Sequence, residues 1–417
     1  MRVALPSVLL RPGQRSGERC VASARGIRSR GRSAGVRAPA HPERSTFRRD
    51  LGEEGERRAR PVQCVGDARA VRRRRQQSRG SAVTIVGIRD VAERAGVSLS
   101  TVSNVLNRPE RVSPELQERV REAVATLGYV PNAAASQLRA GRSHTIGMAV
   151  INITNPFFAD VVLGAEQGAD AAGLSVIVGN TYDSDAKQKG YLGIFERQHL
   201  DGVLVAPLGS DRAPLERLIG RGIPVVLVDR VDDLGVISSV SLDDVAGGRL
   251  AAEHLIGLGR THLCFVGGRE SLPQMRDRLR GFREAIEDAG GVRLTVIDTV
   301  TLNTGLGRSI GESLVALPVE ERPDAVFSGN DVAALGLLQA FVHAGLDVPG
   351  DIALIGYDDI EFASAAVVPL TSIRQPAHEM GMRAAELLVA RIGGATTEYE
   401  SIVFQPELIA RASTVGA

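Results

Sequence analysis

The sequence predicts an α/β fold class: a core of two doubly wound parallel-sheet lobes over residues 144–415, preceded by a small all-α helix-turn-helix unit. Three observations predict it. Through the last two thirds of the chain, short runs rich in Val, Ile and Leu alternate with amphipathic helical stretches, the pattern of parallel strands covered on both faces. At roughly 270 residues this region exceeds one small sheet, so two similar lobes are expected. Residues 84–142 show helical periodicity only. Residues 1–82 hold 21 Arg, no Lys and 7 acidic residues with no sustained period at all.

Composition bounds the function. The 417 residues are 43% apolar and carry a formal charge of +1, a balance that hides a basic N-terminal segment and a net acidic remainder. No apolar run approaches the ~20 residues of a membrane span. Cys20, Cys64 and Cys264 are few and far apart, which argues against a disulfide framework or a cysteine zinc site and suits a reducing compartment. Residues 1–82 cannot bury enough apolar surface to offset their ordering entropy. The stretch 3–10 is short, broken by Pro6 and followed by more arginine, a poor signal peptide. Three readings stay open: a disordered basic arm that touches phosphates, a plain disordered tail, or sequence upstream of the true start, since patterned sequence begins abruptly at Val83.

In residues 83–130, Ile88, Val91, Ala92 and Ala95 form one apolar face of a helix that Gly96 ends. Ser98 can cap a second helix, in which Val102, Val105 and Leu106 point inward and Leu99, Ser100, Ser103 and Asn104 stay outside. Two short helices joined by a glycine-bearing turn make a helix-turn-helix. Its outer face of hydroxyls and an amide can meet base edges in a major groove, or simply be the polar face of an ordinary helical bundle. Ser113 and Pro114 open a third helix, striped by Leu116, Val120, Val124 and Leu127 and closed by Gly128. After Pro131, the hinge and linker over 131–143 hold an Ala-rich stretch that is marginal as an isolated helix.

DVAERAGVSLSTVSNVLN followed by RVSPELQERVREAVATLGYVPNAAASQLR resembles the lactose-repressor-type (LacI/GalR) family of bacterial transcription regulators, and the resemblance covers about 84 to 415. It implies a periplasmic-binding-protein-like type I core and a DNA-contacting set of Ser98, Leu99, Ser100, Thr101, Ser103, Asn104 and Asn107. From the hinge it adds Ala135, Leu138 and Arg139, with Leu138 as the apolar wedge in a minor-groove step.

In the core, strands are expected at 146–151, 174–178, 202–206, 224–228, 262–266, 293–297, 325–328 and 351–356. Helices are expected at 156–172, 244–258, 275–289 and 331–344. Ligands in such folds sit at the carboxyl ends of strands. That rule selects Asn155, Phe157 and Phe158 after the first strand, then Asp229 and Arg230, Asn330 and Asp331, and Tyr357, Asp358 and Asp359. Rings to stack on and charged groups for hydroxyls suit a polyol. For Asp331 and Asp359 a plain helix cap is an equal reading. The resemblance sharpens the effector set to Phe157, Phe158, Asp229, Arg278, Leu302, Asn330 and Asp358, with Phe158 as the stacking ring. GLGRSIG (305–311) lacks the spacing of a dinucleotide loop, and His254, His262 and Cys264 lack metal spacing.

The expectation is therefore a non-enzymatic, cytoplasmic, nucleoid-associated transcriptional regulator without cofactor or metal. It is read as a repressor whose hold on a pseudo-palindromic double-stranded operator is set by a small effector, a sugar or related metabolite. Activation, corepressor dependence and a periplasmic-type solute-binding role are the alternatives. A homodimer is expected, with the 156–172 helix at its interface. A coiled-coil tetramerisation tail is not expected, because no leucine heptads follow 406–413.

Overall fold

A computed structural model of the chain describes residues 10–12, 86–130, 142–267 and 272–416. They fall into a small helical unit up to residue 130 and a large α/β unit from 142 onward, to which Leu10–Pro12 also belongs.

The small unit holds helices α1 (Ile88–Ala95), α2 (Leu99–Asn107) and α3 (Pro114–Leu127), with a 3₁₀ turn at Pro109–Arg111. Gly96 (φ 63°) and Gly128 (φ 61°) end α1 and α3 in the left-handed conformation that glycine adopts without penalty. Ser98 caps α2 as expected, its hydroxyl accepting from the Thr101 N–H at 3.1 Å. Ser113 precedes α3, but its side chain makes no capping bond. Val91, Ala92, Ala95, Val102, Val105, Val120 and Ala123 form the core. Arg119 ties α3 to the end of α1 by donating to the Ala95 carbonyl at 2.5 Å.

The large unit has two sheets. The first contains β2 (Thr145–Val150), β3 (Ser175–Asn180), β4 (Gly202–Val205), β5 (Val225–Val228), β6 (Ser238–Leu242) and β12 (Ser401–Phe404). All six are parallel, in the order β12-β6-β5-β4-β2-β3. The second contains β7 (His262–Gly267), β8 (Arg293–Asp298), β9 (Ala325–Ser328), β10 (Ala353–Asp358), β11 (Thr371–Arg374) and β13 (Glu407–Ile409). Its order is β8-β7-β9-β10-β11-β13, with β13 antiparallel at one edge. At the other edge Leu10–Pro12, β1, pairs antiparallel with β8.

The helices are α4 (Pro156–Asp170), α5 (Asp185–Arg197), α6 (Ala213–Gly220), α7 (Asp244–Gly257), α8 (Pro273–Ala289), α9 (Thr304–Val315), α10 (Asp331–His343), α11 (Glu361–Ser364), α12 (Ala377–Ile392) and α13 (Ala412–Val415). The chain passes between the lobes after β6, after β11 and after β12, so α12 and β12 return to the first lobe. All eight expected strands and all four expected helices are present within a few residues. β1, β6, β11, β12 and β13 were not anticipated: all are short, β1 falls in the 1–82 segment expected to be without a fold, and β6 (SSVSL) and β11 (TSIR) carry hydroxyls at buried positions. Pairing with neighbours holds them in the sheet where their own apolar content does not. GLGRSIG proves to be part of α9.

Three helix pairs pack through reciprocal glycines. A β-carbon at Gly164 would lie 1.9 Å from the His378 carbonyl oxygen, and one at Gly381 would lie 1.9 Å from that of Val161. Gly248 and Gly281 do the same between α7 and α8, and Gly307 and Gly336 between α9 and α10. Backbones this close leave no room for a methyl group. Gly281→Ala, 1.9 Å from the Val245 oxygen, is therefore expected to cost about 1–3 kcal/mol through overpacking. Urea unfolding followed by circular dichroism measures this, and an unchanged midpoint would contradict it.

Candidate functional site

On the small unit, α2 presents Leu99 (44% exposed), Ser100 and Asn104 to solvent, and the helix carries no charged side chain. Ser98 is occupied locally, its hydroxyl 2.7 Å from that of Ser100 and 2.8 Å from that of Thr101. Asn107 donates its amide to the Ser103 carbonyl at 2.7 Å. Ser98 and Asn107 thus shape the helix, whereas Leu99 and Asn104 project from it. Ala135, Leu138 and Arg139 lie outside the described residues.

In the large unit a cleft of ≈ 730 Å³ opens between the lobes at the carboxyl ends of the strands. Phe157, Phe158, Asp229, Arg278, Leu302, Asn330 and Asp358 all line it. Phe157 and Phe158 meet edge to face, centroids 5.0 Å apart, at the start of α4. Arg278 reaches in from α8 and is 2% exposed. Its Nε donates to Asp244 at 2.8 Å, its Nη1 to the Gly329 carbonyl at 2.6 Å, and its guanidinium stacks 3.6 Å from the Tyr357 ring centre. Burial works against the guanidinium charge, but Asp244, Tyr357, Asp358 and Asp229 together outweigh it and hold the pKa above its ordinary value.

Two carboxylates face this group, and both are fastened across the cleft. Asp229, at the end of β5 in the first lobe, accepts from the Gln274 amide of the second lobe at 2.8 Å. Asp358, at the end of β10 in the second lobe, accepts from Asn155 of the first lobe at 2.9 Å and from Gln375, where the chain crosses between lobes, at 2.7 Å. Burial, with the nearby Asp244 charge, pushes Asp229 up to about 7. Burial pushes Asp358 up to about 6 against the pull of Arg278. Both aspartates hold positive φ, 59° and 104°, strain of the kind that collects at functional sites.

Asp331 and Asp359 are structural. Asp331 is wholly buried and accepts from Ser372 and from the Ile360 N–H, while Asn330 caps α10. Asp359 is bound by Arg374 and Arg411. Arg230 donates to the Gly209 carbonyl. His254 bonds Thr414, His262 bonds Thr295, and Cys264 is a buried thiol pushed up to about 12 by burial. Gln274, Gln375 and Asn303 also line the cleft and were missed. Gln274 lies one helical turn before Arg278, on the same face, so its signal was available. Gln375 follows β11, a strand the sequence did not reveal.

A model for bacterial regulatory proteins of the lacI family matches residues 87–132, and one for the periplasmic binding protein-like domain matches residues 252–414. The chain is similar to the HTH-type transcriptional repressor PurR of Photobacterium profundum, 35% identical over 332 residues that cover 78% of this chain and 98% of the relative. Similarity to the ribose operon repressor of Escherichia coli is 35%, over 78% and 99%. Among solved structures, a lac repressor dimer bound to operator and an anti-inducer matches with TM-score 0.69 at 27% identity, covering 79% of this chain and 99% of that one. A CelR–cellobiose complex matches with TM-score 0.59 at 32% identity, over 79% and 99%. An α/β core with a cleft between two lobes, a helix-turn-helix unit ahead of it and similarity along nearly all of each relative lead to one conclusion: the chain belongs to the LacI family of DNA-binding transcriptional regulators.

Proposed function

We propose that the chain is a dimeric repressor whose operator affinity is switched by a small metabolite held between the two lobes. The observation that carries this reading is the cleft itself. Asp229, Asp358 and Phe158 converge on it from different strand ends and Arg278 from α8, and two of its hydrogen bonds join one lobe to the other. A ligand that competes for or adds to those bonds favours one lobe arrangement, and a ligand shifts an equilibrium by its differential affinity for the two states. A solved CelR–cellobiose complex and a solved LacI family regulator with bound ribose support a sugar or related metabolite here.

On the DNA side, Leu99, Ser100 and Asn104 read bases in the major groove, and Leu138 of the hinge wedges a minor-groove step. One module is a weak hold, and two on a two-fold operator supply specificity. The exposed face of α4, with Leu163 47% exposed, is the proposed dimer contact. Light scattering of the full chain at micromolar concentration should read twice the monomer mass. A monomer would remove the dimeric half of the reading.

Asn104→Ala should weaken operator binding by about 1–3 kcal/mol and leave binding to random DNA nearly unchanged. Fluorescence anisotropy on both DNAs is the measurement. Equal losses on the two would place Asn104 in the packing of the module and not in base reading. The effector half is tested by titrating metabolites against the operator complex, where a change in operator affinity is expected for at least one.

A further inference from the structure

Taken as the effector site, the cleft has a charge preference of its own. Among the described residues, Asp229 and Asp358 line it against the single cation Arg278, while Asp183, also in the lining, is engaged in a further interaction of its own. That cation is already ion-paired with Asp244 at 2.8 Å. Among the described residues, a ligand anion placed there meets more carboxylate than cation and no unclaimed arginine.

Helix N-termini are the other usual anion holders, and four begin on the cleft wall. Three are closed by their own asparagine. Asn155 accepts from the Phe157 N–H at 3.1 Å, Asn303 from the Leu306 N–H at 2.9 Å, and Asn330 from the Ala333 N–H at 2.9 Å. The fourth, α8, starts on Pro273, which has no N–H, and its second residue, Gln274, holds the Asp229 carboxylate.

The buried polar atoms left without a partner point the same way. Gln274 Oε1 and Gln375 Oε1 are acceptors, and so is Asp229 Oδ1 when its carboxyl is ionised, on side chains 4%, 4% and 5% exposed. Buried acceptors of this kind call for donors from the ligand. Hydroxyl groups supply them, whereas a phosphate or carboxylate brings only further acceptors.

We infer that the cleft takes an uncharged, hydroxyl-rich ligand and rejects the phosphorylated or carboxylated form of the same molecule. The inference rests on the cleft being the effector site. Like charges brought together at a desolvated site disfavour the wrong ligand strongly, and a site built to pair hydroxyls discriminates against ligands that leave its polar groups unmet.

The test is titration calorimetry on the full chain with matched pairs: D-ribose and D-ribose 5-phosphate, D-glucose and D-glucose 6-phosphate or D-glucuronate, D-fructose and D-fructose 6-phosphate. Hypoxanthine serves as an uncharged ligand without hydroxyl-bearing carbons. At least one parent sugar should bind, with its anionic form weaker by more than about tenfold. An anionic form within tenfold of its parent, binding by hypoxanthine alone, or binding by no sugar overturns the inference. Operator affinity, measured alongside, separates the two readings. A sugar that binds without altering operator affinity removes the switching mechanism and leaves the charge preference standing. A sugar phosphate that binds and alters operator affinity does the reverse.

Discussion

Arg278→Ala is expected to lower the stability of the large unit by about 3–5 kcal/mol, the range for removing one partner of a buried ion pair, and to abolish effector binding with it. The side chain is 2% exposed, and Asp244, its ion-pair partner, is itself buried at 8%. Removing the guanidinium leaves Asp244 with only the Tyr357 hydroxyl, which donates to it at 2.8 Å. It also strips the Tyr357 ring of the cation stacked on it. The variant combines an uncompensated buried charge with a cavity, so the two losses reinforce each other. Arg278→Lys keeps a charge but not the planar fork that reaches both Asp244 and the Gly329 carbonyl, and should fall between wild type and alanine. Thermal unfolding followed by circular dichroism suits a chain with no Trp. A wild-type midpoint for the alanine variant would show that Asp244 does not depend on this pair.

Asp229→Asn is expected to stabilise the large unit at pH 8 and to leave it nearly unchanged at pH 4. Burial raises the folded-state pKa to about 7 from 3.8, so folding favours the neutral carboxyl. The contribution of that neutral form is fully present below about pH 4 and is lost as pH rises through about 7. Asparagine keeps the shape, can still accept from Gln274, and never ionises. The stability difference between variant and wild type should therefore grow between pH 4 and 7 and level off above. It should approach about 4 kcal/mol, from about three pKa units at about 1.4 kcal/mol each. Melting temperatures of both proteins across that range check the sign. A difference that does not vary with pH would mean that Asp229 is ionised throughout. The same substitution takes one carboxylate from the cleft, so effector affinity should be measured in parallel.

Much of the architecture was legible because it is written in local periodicity. The stripe of Val91, Ala92 and Ala95 and the left-handed ends at Gly96 and Gly128 are properties of a few neighbouring residues, and they appear where the pattern places them. The parallel strands were readable as apolar runs because both faces of each sheet are covered. The strand-end rule brought Asp229, Asn330 and Asp358 to one cleft without any knowledge of the path between them.

The sequence by itself determined the fold class, the helix-turn-helix and the strand ends that supply the cleft, since each depends on side chains close together in the chain. Tertiary structure alone decided the rest. The polar strands β6 and β11 exist because neighbours pair with them, and two of the three crossings between lobes come directly after them. The carboxylate pairings join residues 45 and 203 positions apart, Gln274 with Asp229 and Asn155 with Asp358. Arg278, assigned to the ligand by the family resemblance alone, turned out also to neutralise Asp244 in the interior. Burial and charge pairing at such separations are set by how the lobes pack, and no local pattern of residue types encodes them.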